Sequence, residues 1–250
     1  MKVISLNTWG GRIDKTVFYD FFKKHGDVDI FCLQEIWEGG DDEASEWGEG
    51  IDTSMFTNLG KILKEHSAFF RPSYREFFGL AMFVKKNLKI VEEGEIFVFK
   101  NKENVHDVVK QDVSNHARNL QYMTVETEKG TRTILNLHGL WNGNGKRDCD
   151  ERISQSERIS SFIKSISNPY VLVGDFNLLP ETRSLKILED LDMRNLIKEN
   201  NVTSTRTRFY TKSKEKFADY ALVSKDIEVK DFKVLPDEVS DHTPLYLEFE

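Results

Sequence analysis

Short apolar runs separated by polar segments recur along the chain and predict many β-strands. Their lengths and their content of β-branched residues are typical of strands. The predicted strands are Val3–Leu6, Val28–Leu33, Leu80–Val84, Ile90–Val98, Leu120–Val125, Thr133–Leu137, Tyr170–Val173, Tyr220–Val223, Ile227–Val234 and Leu245–Phe249. Apolar residues at helical spacing predict helices at about 14–24, 53–65, 152–166 and 182–190. Many strands with interspersed helices favour one mixed α/β layered domain over residues 1–250.

Three polar segments interrupt this pattern. Residues 99–119 are expected to form a long loop. Residues 38–52 carry seven acidic side chains and no Lys or Arg, and the favoured interpretation is a solvated loop. The alternative is that this acidic segment borders the active site and disfavours long polyanions. Basic residues cluster between 204 and 217, where they either hold substrate phosphate or line an exposed hairpin.

Polar residues adjoin the apolar strands at their ends. They are Asn7, Glu35, His138, Asp175, Asn177, Asp219, Asp241 and His242. Strand ends that share one edge of a sheet would gather these groups into one cleft. Ionised groups are rarely buried without a partner, so carboxylates directly after apolar runs indicate a site.

Composition narrows the class of protein. The 250 residues are 39% hydrophobic and include 18 Phe, enough for a sizeable core. A formal net charge of −7 is not typical of a tight, non-specific duplex binder. Cys32 and Cys149 make neither a disulfide framework nor a zinc site. No signal peptide and no apolar run of roughly 20 residues is evident, so a cytoplasmic protein without a transmembrane segment is expected.

The strand-end residues have a common chemistry. Carboxylates and amides without a cysteine ligand favour a hard cation such as Mg²⁺, with Mn²⁺ as the alternative. A hard cation beside two histidines suits phosphoryl transfer, in which metal and donors neutralise charge on the phosphate. The expected partner is therefore a phosphoester substrate, with nucleic acid among the candidates, and no obligate protein partner is inferred.

Five short motifs occur in an order that resembles the endonuclease/exonuclease/phosphatase superfamily, in particular its deoxyribonuclease-I-like members. They are Leu6-Asn7-Thr8-Trp9, Leu33-Gln34-Glu35, Gly174-Asp175-Phe176-Asn177, Asp219-Tyr220 and Ser240-Asp241-His242. The resemblance spans nearly the whole chain. It implies a four-layer αββα sandwich, with two packed mixed β-sheets flanked by helices.

The resemblance also implies roles for the core of the site. Glu35 would be the main metal ligand, assisted by Asn7 and Asp241. Asp175 would orient or deprotonate the attacking water, and Asn177 would hydrogen-bond the phosphate or that water. His242 would contact the scissile phosphate, with Asp219 fixing its ring.

Further residues are assigned more peripheral roles. By the same resemblance His138 is a second active-site histidine, Glu76 its carboxylate partner and Arg118 a phosphate contact. Trp141, Asn142 and Arg206 are candidate substrate-binding residues, although the loop around Trp141 is equally consistent with a flexible turn. His25, His66, His106 and His116 are expected to be surface or capping groups.

Three functions remain open. The leading expectation is a phosphodiesterase or endonuclease that hydrolyses nucleic-acid phosphodiester bonds with activated water. The alternative is a phosphomonoesterase, or a sphingomyelinase-like lipid phosphodiesterase, acting on a small or amphipathic phosphoester. A non-catalytic binding module is disfavoured because none of the central motif residues is missing. Fold does not fix the substrate in such a scaffold.

Overall fold

The computed structural model describes residues 1–102, 116–211 and 214–250. Its strands are β1 (Lys2–Asn7), β2 (Ile30–Trp37), β3 (His66–Tyr74), β4 (Phe78–Lys85), β5 (Ile90–Phe99), β6 (Arg118–Thr127), β7 (Gly130–His138), β8 (Tyr170–Asp175), β9 (Met193–Asn195), β10 (Asp219–Ser224), β11 (Val229–Val234) and β12 (Leu245–Phe249). Its α-helices are α1 (Lys15–Lys24), α2 (Asp41–Trp47), α3 (Met55–Ile62), α4 (Asp150–Ile163), α5 (Arg183–Glu189) and α6 (Leu196–Glu199). A short 3₁₀ helix covers Trp9–Gly11. No helix in these described ranges is long and apolar enough to cross a membrane.

The strands form two six-stranded mixed sheets. The first has the order β11-β12-β1-β2-β4-β3, and the second has the order β5-β6-β7-β8-β10-β9. Each sheet has a parallel pair in its middle, β1 with β2 and β7 with β8. The other pairings described are antiparallel.

The sheets pack face to face with helices outside them, which confirms the expected four-layer αββα sandwich. The inner core joins Val3, Ile30 and Met82 of the first sheet to Ile134 and Val171 of the second. Another buried cluster sets helix α1 and helix α3 against the first sheet. Helices α4 and α5 cover the outer face of the second sheet. Each strand of the sandwich is therefore apolar on the side that faces a neighbouring layer.

The two parallel strand pairs place polar side chains at one end of the sandwich. In the first sheet Asn7 lies opposite Gln34, at the end of β1 and next to Glu35. In the second sheet His138 lies opposite Asp175 at the ends of β7 and β8. Because parallel strands end at the same sheet edge, Asn7, Glu35, His138 and Asp175 share one rim of the molecule.

A bulge in β2 shapes this rim. The register between β2 and β4 shifts between Leu33 and Ile36, and Glu35 has a positive φ of 58°. Across the sandwich, Asn136 Nδ2 donates to the carbonyl oxygens of Leu33 (3.1 Å) and Ala81 (3.3 Å). Its Oδ1 accepts from Gln34 Nε2 at 2.6 Å. This buried network ties the bulge to the second sheet and satisfies carbonyls that the irregular pairing leaves free.

The ten predicted strands and four predicted helices are confirmed, with ends shifted by a few residues. Strands β3 and β9 and helices α2 and α6 were missed. Strand β3 is an edge strand that contains Pro72, and its side chains are mostly half-buried, so it lacks a clear alternation. The expected loop at 99–119 falls largely outside the described residues, although β6 already begins at Arg118.

The prediction of a solvated loop at residues 38–52 is wrong for the central part of this segment, where helix α2 forms. Its first turn carries Asp41, Asp42 and Glu43, which interact favourably with the positive end of the helix dipole. Ala44 and Trp47 face inward at a spacing of three, and Trp47 packs on Trp37 with ring centroids 5.2 Å apart. Four of the seven acidic side chains, those of Asp41, Asp42, Glu43 and Glu46, therefore lie on a helix that is anchored by aromatic packing.

Candidate active site

Asn7 links the two sheets at the centre of the site. Its Nδ2 donates to Glu35 Oε1 at 3.1 Å and to Asp175 Oδ2 at 3.0 Å. Its Oδ1 accepts from the backbone N–H of Trp9 at 2.9 Å, which fixes the orientation of the amide. One carboxylate from each sheet is thus held on the same fully buried side chain.

Unusual backbone conformations position the neighbouring residues. Asn177 has a φ of 52°, and its backbone N–H donates to Asp175 Oδ1 at 2.9 Å, as in an Asx-turn. Its Nδ2 donates to the Gly139 carbonyl and to Asp175 Oδ2, both at 3.3 Å. A Cβ at Gly139 would lie 2.2 Å from the Phe176 carbonyl oxygen, so only glycine permits this approach. Asp175 and Asn177 therefore form one rigid turn.

His242 and Asp219 form a buried carboxylate–imidazole pair. His242 Nδ1 lies 2.8 Å from Asp219 Oδ1 and 2.9 Å from Oδ2. Burial lowers the pKa of His242, and the nearby Arg206 lowers it further. The neutral ring then carries its proton on Nδ1, towards Asp219, and presents Nε2 to the cleft. That Nε2 lies 3.7 Å from Asp175 Oδ2 and 3.7 Å from Asp241 Oδ1.

Asp241 is partnered by Arg206 on one side only. Arg206 Nη1 lies 3.3 Å from Asp241 Oδ2. Within the described ranges, the buried Oδ1 of Asp241 has no hydrogen-bond partner. Burial raises the pKa of this carboxyl group, since desolvation disfavours its charge. An unpaired carboxylate oxygen in this position is suited to a cation.

His138 lies in the cleft but has an arginine beside it instead of the expected glutamate. Arg118 Nη1 is 3.2 Å from His138 Nδ1, whereas Glu35 and Asp175 oxygens are 3.8 Å from Nε2. Burial, and then the charge of Arg118, lowers the pKa of His138 well below its ordinary value. The expected pairing with Glu76 is wrong: Glu76 sits in the turn after β3, has an 80% exposed side chain and pairs with Lys102 at 3.0 Å.

A cleft of about 630 Å³ opens over these groups. Of the predicted residues it is lined by Glu35, Arg118, His138, Trp141, Asp175, Asn177, Arg206, Asp241 and His242. Asn7 and Asp219 lie behind them, fully or almost fully buried. Asn142 is not placed as a substrate ligand, because its Oδ1 accepts from Arg152 Nη2 and from the Asn144 N–H, each at 3.2 Å. Its side chain orders the loop instead.

Several cleft residues were missed by the sequence analysis. Lys146 and Tyr210 line the cleft, as does Trp47 from helix α2. His116 was expected at the surface but is 3% exposed and packs against both Trp47 and Tyr74, with centroids 4.7 and 4.9 Å away. His66 is also buried, while His106 lies outside the described residues. For Tyr210 the available signal was its position in the basic cluster between 204 and 217.

Two different sets of residues at the site offer ligands for a divalent metal. Atoms of Asp175, Asp219 and His242 lie within 4.8 Å of one another. Both Asp219 oxygens, however, already face the Nδ1 of His242, so that group is better described as a hydrogen-bonded pair. Glu35 and the unpaired Oδ1 of Asp241 supply hard oxygen donors of the kind that Mg²⁺ and Mn²⁺ prefer. The donor set therefore fits a hard divalent cation.

The structure is thus a four-layer sandwich that gathers acidic, amide and imidazole groups at one rim. The Endonuclease/Exonuclease/phosphatase family model matches residues 4–242 of the sequence. The chain belongs to this family, whose members hydrolyse phosphate esters and generally use divalent metals. No curated protein matches the chain significantly.

Solved structures repeat the fold at low sequence identity. An endonuclease/exonuclease/phosphatase from Bacteroides vulgatus has a TM-score of 0.74 and 18% identity, covering 100% of this chain and 98% of its own. A mannosyl-6-phosphatase from Bacteroides thetaiotaomicron has a TM-score of 0.72 and 18% identity, with 100% and 99% coverage. The human Nocturnin catalytic domain has a TM-score of 0.66 and 16% identity, with 100% and 93% coverage. These likenesses establish the shared fold.

Proposed function

We propose that the protein is a Mg²⁺- or Mn²⁺-dependent hydrolase that cleaves phosphodiester bonds of nucleic acid with an activated water. The observation that carries this proposal is the Asn7 amide, which holds Glu35 and Asp175 together beside the His242–Asp219 pair. A metal ligand, a water-orienting carboxylate and a phosphate-binding imidazole are the groups that this reaction requires.

Glu35 and Asp241 are the proposed metal ligands, and Asn7 supports the site behind them. A divalent cation held there would supply positive charge that polarises a phosphoryl oxygen. Asn7 donates to Glu35 through Nδ2, so in this arrangement it fixes the carboxylate rather than offering its own oxygen. Its earlier assignment as a direct ligand stays a prediction.

Asp175 is the proposed water-orienting base. Its oxygens are held by Asn7 Nδ2 and by the Asn177 backbone N–H, so the carboxylate cannot rotate away. His242 turns Nε2 into the cleft, and we propose that this nitrogen takes up a proton when a phosphoryl oxygen binds beside it, with Asp219 stabilising the charged ring. Arg118 is proposed to bind a remaining phosphate oxygen as charge develops there, and Asn177 to accept a hydrogen bond from the attacking water.

A phosphomonoesterase is the second candidate, and one observation favours it. Three buried cationic side chains line the cleft, those of Arg118, Lys146 and Arg206. A terminal phosphate carries more negative charge than a diester, so it gains more from such cations. A phosphatase with this fold, the mannosyl-6-phosphatase, is among the similar structures.

The test compares wild type with Asp175→Asn on supercoiled plasmid, bis(p-nitrophenyl) phosphate and p-nitrophenyl phosphate in Mg²⁺. We expect EDTA to abolish hydrolysis, and Asp175→Asn to reduce kcat by about 10²–10⁴-fold, the usual contribution of a positioned base. Asp190→Asn is the matched control, since Asp190 is an exposed partner of Lys186 on helix α5's end. An unchanged rate in Asp175→Asn would overturn its role, and hydrolysis of the monoester alone would select the phosphatase.

A further inference from the structure

Lys146 is a buried lysine whose charge the reaction proposed above does not use. Its residue is 1% exposed, although lysine is almost never fully buried without a partner. In the described structure its Nζ donates to one acceptor, the Phe217 carbonyl at 2.8 Å, which leaves two of its three N–H groups. Lys146 also lines the cleft that contains Asp175 and His242.

The loop that carries Lys146 is fixed from both sides. Arg152 of helix α4 donates to the Gly145 and Arg147 carbonyl oxygens, both at 2.6 Å. Asp148 accepts from the backbone N–H groups of Arg183 and Ser184 at the start of helix α5. The ammonium group is therefore held at a defined position, which is what a binding residue needs.

Lys146 and a second buried cation, Arg206, lie against the same aromatic ring. The Arg206 guanidinium lies 4.1 Å from the Tyr210 ring centroid, and Lys146 Nζ lies 5.2 Å from the same centroid. The Arg206 side chain is 7% exposed, and its Nε has no hydrogen-bond partner among the described residues. Burial lowers the pKa of Lys146, and repulsion from Arg206 lowers it further.

Acidic groups offset these cations only in part. Asp241 pairs with Arg206, but its other oxygen is a proposed metal ligand. Glu215 also lines the cleft, and its Oε1 accepts from the Lys146 backbone N–H at 3.2 Å. The charges of Asp175, Asp219 and Glu215 attract the ammonium group, but burial and Arg206 still lower its pKa. Two like charges held close together in a desolvated site are stabilised by a bound anion.

We propose that Lys146 and Arg206, which both lie against the Tyr210 ring, form an anion subsite that binds the non-bridging oxygens of the substrate's phosphate group. The inference rests on the proposed function, because it names how that site holds its phosphate. It adds Lys146 to the residues that contact substrate. The positive charge of Lys146 contributes to the lowered pKa of His242 and is attracted by the carboxylate of Asp175.

The test is the binding of inorganic phosphate, measured by calorimetry on the full chain in Mg²⁺. Lys146→Met removes the charge at similar length, Lys146→Arg keeps it, and Lys61→Met on the exposed side of helix α3 is the control. We expect phosphate affinity to fall roughly tenfold to a hundredfold in Lys146→Met, as for a lost hydrogen bond between charged groups. Lys146→Arg should keep most of it, and Lys61→Met all of it.

A second measurement needs no variant of Lys146 and so holds even if Lys146→Met fails to fold. Phosphate should shift the side-chain ¹⁵N signal of the Lys146 ammonium group in the wild type, read by NMR, without shifting that of Lys61. Equal phosphate affinity in wild type and Lys146→Met, or an unshifted Lys146 signal, would overturn the subsite. If the wild type binds phosphate through Lys146 but hydrolyses no phosphate ester, the proposed function fails and the subsite stands.

Discussion

At the residue scale, the site depends on side chains that never reach the cleft. Asn7 and Asp219 are both buried behind the lining residues, yet they hold Glu35, Asp175 and His242 in place. Outer groups of this kind decide tautomer and orientation, and their loss typically costs 10–100-fold in activity or metal affinity. Their effect can be separated from substrate binding by kinetics.

Asp219→Asn should lower kcat by about 10–100-fold and leave KM nearly unchanged. The amide cannot stabilise a charged His242 ring, and its N–H group opposes the Nδ1 proton. The measurement is steady-state kinetics at saturating metal, with Asp192→Asn as control because that side chain is 78% exposed. A raised KM with unchanged kcat would show that Asp219 serves binding instead.

His66 gives a pH-dependent contribution to stability. Its Nε2 contacts the Val28 carbonyl at 2.8 Å, its Nδ1 has no partner among the described residues, and burial lowers its pKa. The unfolded chain therefore binds a proton more readily, so stability falls as pH drops below about 6.5, the ordinary histidine value.

The expected result is a smaller loss of unfolding free energy between pH 7.5 and 5.5 in His66→Gln than in wild type. Urea denaturation at both pH values measures it. Lys64→Gln, an exposed neighbour at the same end of β3, should retain the wild-type difference. An equally steep loss in His66→Gln would exclude this histidine as the source.

At the scale of elements, the bulge in β2 orients the Glu35 side chain towards the cleft. Asn136→Leu would leave the Leu33 and Ala81 carbonyls without their donor, at a cost of about 1–3 kcal/mol. We also expect weaker Mn²⁺ binding, because the bulge that carries Glu35 loses its anchor. Unfolding free energy and Mn²⁺ titration are the two measurements.

Thr124→Val is the matched control for this prediction. It removes a buried hydrogen bond of 2.8 Å between the hydroxyl groups of Thr124 and Thr133. This bond lies in the second sheet, like Asn136, but not next to the bulge in β2. It should lower stability without changing Mn²⁺ affinity. If both variants changed metal affinity alike, loss of stability rather than the bulge would explain the result.

Residues at strand ends were predictable from the sequence, whereas most loop residues were not. The apolar runs and the polar residues next to them predicted that Asn7, Glu35, Asp175 and His242 meet at one rim, as they do. Glu76 and Asn142 could not be placed, because turn geometry decides whether such side chains meet the cleft or a neighbour. Lys146 was missed since its burial arises from tertiary contacts made by Arg152 and Asp148. Helix α2 was missed because its run of acidic residues suggested a loop, and one buried Ala44 and one Trp47 are too few to show a helical pattern.

At the scale of the whole molecule, charge is distributed unevenly around the cleft. Helix α2 places Trp47 against the cleft while Asp41, Asp42, Glu46 and Glu49 are exposed on or just after the helix. Such a cluster repels polyanions at a distance set by the Debye length, about 10 Å at 0.1 M salt. It would act on a long nucleic acid more than on a small ester.

Replacing these four acids with their amides should raise kcat/KM on DNA several-fold at low salt, and the gain should vanish at high salt. Activity on p-nitrophenyl phosphate should stay the same. A control of equal charge replaces Glu128, Asp190, Asp192 and Asp226, which are exposed elsewhere. An identical salt response in both quadruple variants would show that position of the charge is unimportant.

The pairing of β1 with β12 has a consequence for the order in which the site can form. Lys2 lies opposite Glu248 across this pair, and Asn7, which ends β1, shares Asp175 with His242, which lies just before β12. A folding intermediate in which β12 has not yet paired with β1 therefore lacks the sheet edge that holds His242 beside Asp175. The candidate site is complete only when the first sheet is complete.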